Sequence, residues 1–235
     1  NTKKLIDDLK SVCANYGLGN DGNEFKIISQ TFLYKYMNDK FSYEAKKINE
    51  TLAEATDFQK AYEELSEEER KFLIARIGNK APKLQPEHLI SYLFNNSTKA
   101  NFAETYFDGT LRNISLDNSN LYSIKTASGV KDKMFDDLSQ FITDSSQRDA
   151  FARALVNKLV NFSFEKMFQE KYDFFATIFE YLIKDYNSDS GGKYAEYYTP
   201  HAVAKIMAAI LVPEDQQGTI KNVSCYDPSA GSGTL

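Results

Sequence analysis

Val223-Ser224-Cys225-Tyr226-Asp227-Pro228-Ser229-Ala230-Gly231-Ser232-Gly233 is the stretch that decides the fold class of the C-terminal part. Its first four residues are apolar or β-favouring and read as a short strand. The strand runs directly into a glycine-rich turn. Open α/β sheets present a nucleotide-like ligand in this way, at the C-terminal end of a strand. Gly231 and Gly233 carry no Cβ, so they can take positive φ and let a bulky ligand lie against the backbone. A phosphate-cradling P-loop is excluded, because it needs Gly-Lys-Ser/Thr and the stretch contains no Lys. The dinucleotide fingerprint needs a third glycine three positions after the second, beyond Leu235. On spacing alone the glycine pair fits a plain turn as well as a ligand-binding one.

Upstream of the strand, Thr199 is a good N-cap and Pro200 a good first helical residue. Val203, Ile206, Met207, Ile210 and Leu211 then form one apolar face, and Pro213 stops the helix. Gln217-Gly218 marks a turn. Further upstream, Asn187-Ser188-Asp189-Ser190-Gly191-Gly192 is the clearest break in the chain. Six small or polar residues in a row suit a flexible connection. The expected organisation is therefore a helical domain over 1–186, a linker over 187–193 and a second domain opening at 194–235.

The helical domain reads from several segments. Glu24 to Lys40 carries Phe25, Ile28, Phe32, Leu33 and Tyr36 at helical spacing. Ser66-Glu67-Glu68-Glu69 has the capping-box pattern, followed by Phe72, Leu73 and Ile77 as an apolar stripe. Pro86 is expected to open a helix carrying Leu89, Ile90, Tyr92 and Leu93. Residues 106–130 read as connecting structure with short helical pieces. Helical signal returns over Asp149 to Phe162 and over Tyr172 to Tyr186. These stripes are first of all core packing.

Composition bounds the function. The chain of 235 residues is 42% hydrophobic and 26% charged, an ordinary globular balance. Trp is absent and Tyr and Phe are abundant, so the core should be rich in single-ring aromatics. A formal net charge of −5 argues against a simple nucleic-acid glove. Cys13 and Cys225, His88 and His201 form no metal-ligand pair, so no metal site is expected. Distant free thiols, with no signal-peptide pattern and no membrane-span run, point to the cytoplasm. His88, in an apolar helix, reads as structural, and Cys225 as a small buried strand residue.

Two segments read together carry a resemblance. Ala195-Glu196-Tyr197-Tyr198-Thr199-Pro200, a helix, and then Asp227-Pro228-x-x-Gly231-Ser232-Gly233 closely resemble the amino-methyltransferases of DNA adenine. The nearest likeness is to the methylation subunit of type I restriction–modification systems. The first segment resembles motif X of that family and the second its motif I, in that order. Glu24-Phe25-Lys26 leading into Phe32 to Tyr36, and Phe179-Glu180-Tyr181-Leu182, extend the likeness more weakly into the helical part.

The resemblance implies a mainly α chain: a helical N-terminal domain followed by the truncated start of an α/β, Rossmann-like methyltransferase domain dependent on S-adenosylmethionine. It implies that Glu196, Tyr197, Tyr198, Thr199, Pro200 and His201 line one side of the cofactor, with Gly231, Ser232, Gly233 and Thr234 on the other. Asp227 either caps the turn or touches the cofactor. His201 stands where the family often has Arg, and a solvated helix-start histidine is an equal reading. The implied partners are DNA, a specificity subunit, a restriction subunit and a second methylation subunit, with no membrane.

The family's adenine-gripping Asn/Asp-Pro-Pro-Tyr/Phe loop has no match, since none of the five prolines adjoins another. No catalytic residue is assigned, and the chain by itself is expected to lack methyl transfer. Two alternatives stand beside this reading. One is a stand-alone or fused adenine methyltransferase. The other is a helical protein-interaction module with the last segment as a partly folded tail.

Overall fold

Helix α1 spans Thr2–Asn15 and α2 spans Gly22–Lys46. The computed structural model describes residues 2–19, 22–122, 133–169, 199, 201–219 and 226–227. The chain divides into two compact units, Asn1–Tyr172 and Asp173–Leu235, taken separately below. The described residues are mainly α-helical and include no strand. Of the strand expected over Val223 to Tyr226, only Tyr226 is described; it lies outside any strand and is 90% exposed. The helix expected over Tyr172 to Tyr186 and the linker over 187–193 lie outside the described residues.

Helix α2 is longer than its sequence pattern suggests, at both ends. Its buried residues include the neighbouring pairs Ile27 and Ile28, Thr31 and Phe32, and Tyr34 and Lys35. Adjacent residues point about 100° apart on a helix, so burial here wraps the cylinder rather than marking one stripe. The helix is central: α1, α3 (Glu50–Glu54), α5 (Glu67–Ile77) and a 3₁₀ turn over Glu165–Gln169 all pack on it. Helix α4 (Phe58–Glu64) links α3 to α5. A second layer follows with α6 (Ile90–Asn95), a π-helix over Phe102–Asp108, α7 (Gly109–Asp117), α8 (Ser119–Tyr122) and α9 (Arg148–Val160). Helix α9 packs on the π-helix, α6 and α1. The largest fully buried side chains are mostly Phe and Tyr, as a chain without Trp requires.

The Ser66 capping box forms as read. The Glu69 N–H donates to Ser66 Oγ at 3.3 Å, and the Ser66 N–H donates to Glu69 Oε2 at 2.8 Å. Leu73 and Ile77 are buried, but Phe72 is 63% exposed and stands under Arg76 instead of joining the stripe. Gly78 closes α5 at φ 57°, a conformation that favours glycine.

Pro86 does not open one continuous helix. Pro86–His88 is a 3₁₀ turn, Leu89 is extended, and α6 starts at Ile90. Side chains from elsewhere impose this break. Tyr34 Oη donates to the His88 carbonyl at 2.7 Å, and Tyr62 Oη donates to the Leu84 carbonyl at 2.8 Å. The Ile90 N–H donates to Asn38 Oδ1 at 2.9 Å. His88 is buried and structural, with Nδ1 accepting from the Gln85 N–H at 3.2 Å. Burial holds its imidazole below the ordinary value, hence neutral at pH 7, against the pull of Glu87 and Asp117. Of residues 106–130, read as connecting structure with short helical pieces, 106–117 are continuously helical because Phe107, Leu111 and Ile114 are fully buried, and 123–130 lie outside the described residues.

Asp39 joins distant parts of the unit. Its Oδ1 accepts from Lys35 Nζ at 2.8 Å and from Asn38 Nδ2 at 2.9 Å, and its Oδ2 accepts from the Phe164 N–H at 2.8 Å. Lys35 and Asp39 are both buried. Removing one member of such a pair leaves the other buried charge uncompensated. Asp39→Ala should therefore cost about 3–5 kcal/mol of stability, read by urea denaturation. A loss below about 1 kcal/mol would contradict this role.

Asp108 is the second buried carboxylate with a specific role. It accepts from the Ser139 N–H at 3.1 Å and from Ser139 Oγ at 2.5 Å. Burial pushes its carboxyl up to about 6, with the Ser139 hydrogen bonds pulling back only part of the way. The folded chain thus holds this proton more tightly than the unfolded chain, whose Asp titrates near ~3.9. Its contribution to stability is complete below that unfolded value and declines as pH rises through about 6. Asp108→Asn should flatten the fall of the urea midpoint across this window. Superimposable pH profiles for the two proteins would refute the assignment.

Candidate functional site

Three of the residues implied for cofactor binding fall among those described. Thr199 is half-buried and lies just before helix α10, His201–Leu211. His201 is the first described residue of that helix, and Pro200, read as its first helical residue, lies outside the described residues. Asp227 is half-buried, with its Oδ2 screened from solvent. Glu196, Tyr197, Tyr198, Pro200, Gly231, Ser232, Gly233 and Thr234 lie outside the described residues, as does Cys225.

The first turn of α10 carries no acidic side chain. A helix N-terminus presents backbone N–H groups and the positive end of the helix dipole, which favour an anion. A carboxylate or phosphate fits that chemistry. The far end of the helix is closed locally. The Val212 N–H donates to the Ala208 carbonyl at 2.9 Å, and Gln217 Nε2 donates to the Val212 carbonyl at 3.1 Å. Gly218 then turns the chain at φ 96°, where the sequence places a turn.

The apolar face of α10 is present but open. Ile206, Ile210 and Leu211 are 61%, 73% and 78% exposed. Among the described residues no group of three or more His, Cys, Asp or Glu could hold a metal ion. No described helix is long and apolar enough to cross a membrane.

In the helical unit the sequence offered no candidate site, yet the structure assembles one cleft of interest. Lys4 of α1, Lys158 of α9 and Lys166 of the following 3₁₀ turn line a cavity of about 520 Å³. Their separation along the chain leaves no local motif, so only the packing of α1 on α9 reveals them.

Comparison with known proteins bears on the C-terminal part. Residues 170–235 match the family model described as N-6 DNA Methylase. The match supports an adenine DNA methyltransferase family, and with it transferase chemistry, for that part of the chain. No solved structure matches the chain.

The open face of α10 has a measurable effect. The protein should enhance the fluorescence of an apolar dye, and Ile206→Lys with Ile210→Lys should remove most of that signal. Undiminished dye fluorescence in the double variant would show that the exposed apolar surface lies elsewhere.

Proposed function

We propose that the chain belongs to the methylation subunit of a type I restriction–modification system, transferring methyl from S-adenosylmethionine to N6 of adenine in DNA. The observation that carries this reading is the ordered pair of segments, Glu196 to Pro200 and Asp227 to Gly233, inside the matched residues 170–235. In this reading residues 1–186 form the helical domain, 187–193 the linker and 194–235 the opening of the methyltransferase domain. The protein works in the cytoplasm with DNA, a specificity subunit, a restriction subunit and a second methylation subunit.

Thr199 and the N-terminal turn of α10 hold the cofactor carboxylate, while Tyr197 and Tyr198 pack on its flat parts. Gly231, Ser232, Gly233 and Thr234 form the opposite wall, and Glu196, Pro200 and His201 complete the first. Asp227 organises the turn between them. Bound S-adenosylmethionine supplies an electrophilic methyl group. The target base must leave the duplex to reach it, because its amine is inaccessible inside the stack.

Calorimetry tests the binding residues. Thr199→Ala should weaken S-adenosylmethionine binding by about fivefold, the worth of one hydrogen bond. Gly231→Leu should weaken it by at least about tenfold, because a side chain there meets the ligand. Equal affinity in the wild type and both variants would eliminate this site.

A further inference from the structure

The cleft between α1, the end of α9 and the 3₁₀ turn over Glu165–Gln169 lies in the helical unit, outside the residues 170–235 of the methylase match. Three lysines and one carboxylate line it: Lys4, Lys158, Lys166 and Asp8. Asp8 engages one of the three, with Lys158 Nζ at 3.3 Å from its Oδ1. Lys4 and Lys166 have no acidic partner among the described residues. The cleft therefore carries an excess of two positive charges in a chain that is acidic overall.

The neighbouring end of α9 is partly satisfied by its own groups. Helix C-termini present unpaired carbonyls and partial negative charge. Here Asn161 Nδ2 donates to the Asn157 carbonyl at 3.1 Å, and the Phe162 N–H donates to the Leu159 carbonyl at 3.2 Å. Two of the terminal carbonyls of α9 are thus occupied. The rest of the lining is mixed: Leu5, Phe162 and Met167 are apolar, while Asn157, Asn161 and Ser163 add neutral polar groups. A volume of about 520 Å³ is that of a small-molecule site rather than of a single-ion notch.

From this juxtaposition of two uncommitted ammonium groups, a third on Asp8, and apolar and neutral polar side chains beside them, we infer that the cleft binds a nucleotide. Its phosphate sits on Lys4 and Lys166, and its base lies against Leu5, Phe162 and Met167. Phosphate supplies the charge-assisted acceptors that the lysines lack. The base covers apolar surface that a bare ion would leave wet. The chemistry is the same for a free mononucleotide and for one residue of a nucleic-acid strand. This inference is independent of the methyltransferase reading.

Calorimetric titration of the full chain with deoxyadenosine monophosphate, with a short single-stranded oligonucleotide and with inorganic sulfate tests it. The expected result is nucleotide binding in the millimolar range or tighter that weakens with salt. Lys4→Ala with Lys166→Ala should reduce affinity about tenfold, while Lys83→Ala, in a different cleft, should not change it. Lys4 and Lys166 are both exposed, and an unchanged far-ultraviolet dichroism spectrum certifies that the double variant folds. Asp8→Asn removes the one negative charge and releases Lys158, so affinity should rise roughly two- to fivefold. Preference for the oligonucleotide assigns the site to a strand, and preference for the monophosphate assigns it to a free nucleotide; either supports the inference. Absence of nucleotide binding, sulfate binding as tight as nucleotide binding, or indifference to the double variant would overturn it.

Discussion

A buried ion pair within one helix organises the helical unit. Lys35 and Asp39 sit one turn apart on α2, and both are shielded from water. Two buried charges in contact recover their desolvation cost only when the remaining hydrogen-bonding capacity is satisfied. Asn38 and the Phe164 amide supply that satisfaction, and Phe164 comes from far along the chain. Closure of the C-terminal end of the unit over α2 is therefore tied to the correct ionic state of α2. Phe164 then packs its ring on Phe32 and Phe162, so the polar contact and the aromatic contact enforce the same register.

Local chemistry was legible wherever the partners lie within one turn of each other. The Ser66–Glu69 box, α9 and the start of α10 after Thr199 follow from residues that meet in sequence. Misreadings arise where a distant group decides. Pro86 to Leu93 looked like one helix because its apolar spacing is helical, yet Tyr34, Tyr62 and Asn38 take up its backbone groups and break it. Gly109, Thr110, Asn113 and Ser115 dilute the periodicity of α7, but packing on the π-helix and on the Pro86 turn overrides their weak propensity. Helix α2 looked like a one-sided helix because its buried polar residues, Thr31, Lys35, Asp39 and Glu44, hid the breadth of its contact surface.

The two candidate sites differ in the same way. The cofactor segments are short, contiguous motifs, and they carry chemistry in their order along the chain. The lysine cleft exists only after α1 and α9 have met, and each of its lysines alone reads as a solvated charge. Composition pointed away from nucleic-acid partners because a net charge of −5 averages over the whole surface. A local excess of positive charge is compatible with that average, and field effects depend on the local value.

The two phenol-to-carbonyl bonds onto the segment between Leu84 and His88 have an optical consequence. Burial raises the ionisation of both Tyr34 and Tyr62 well above that of an exposed phenol. In alkaline solution the exposed tyrosinates absorb first, and these two remain dark until the segment lifts away. With no Trp to obscure them, the late step in a tyrosinate absorbance titration becomes an intrinsic clock for the opening of the unit's interior.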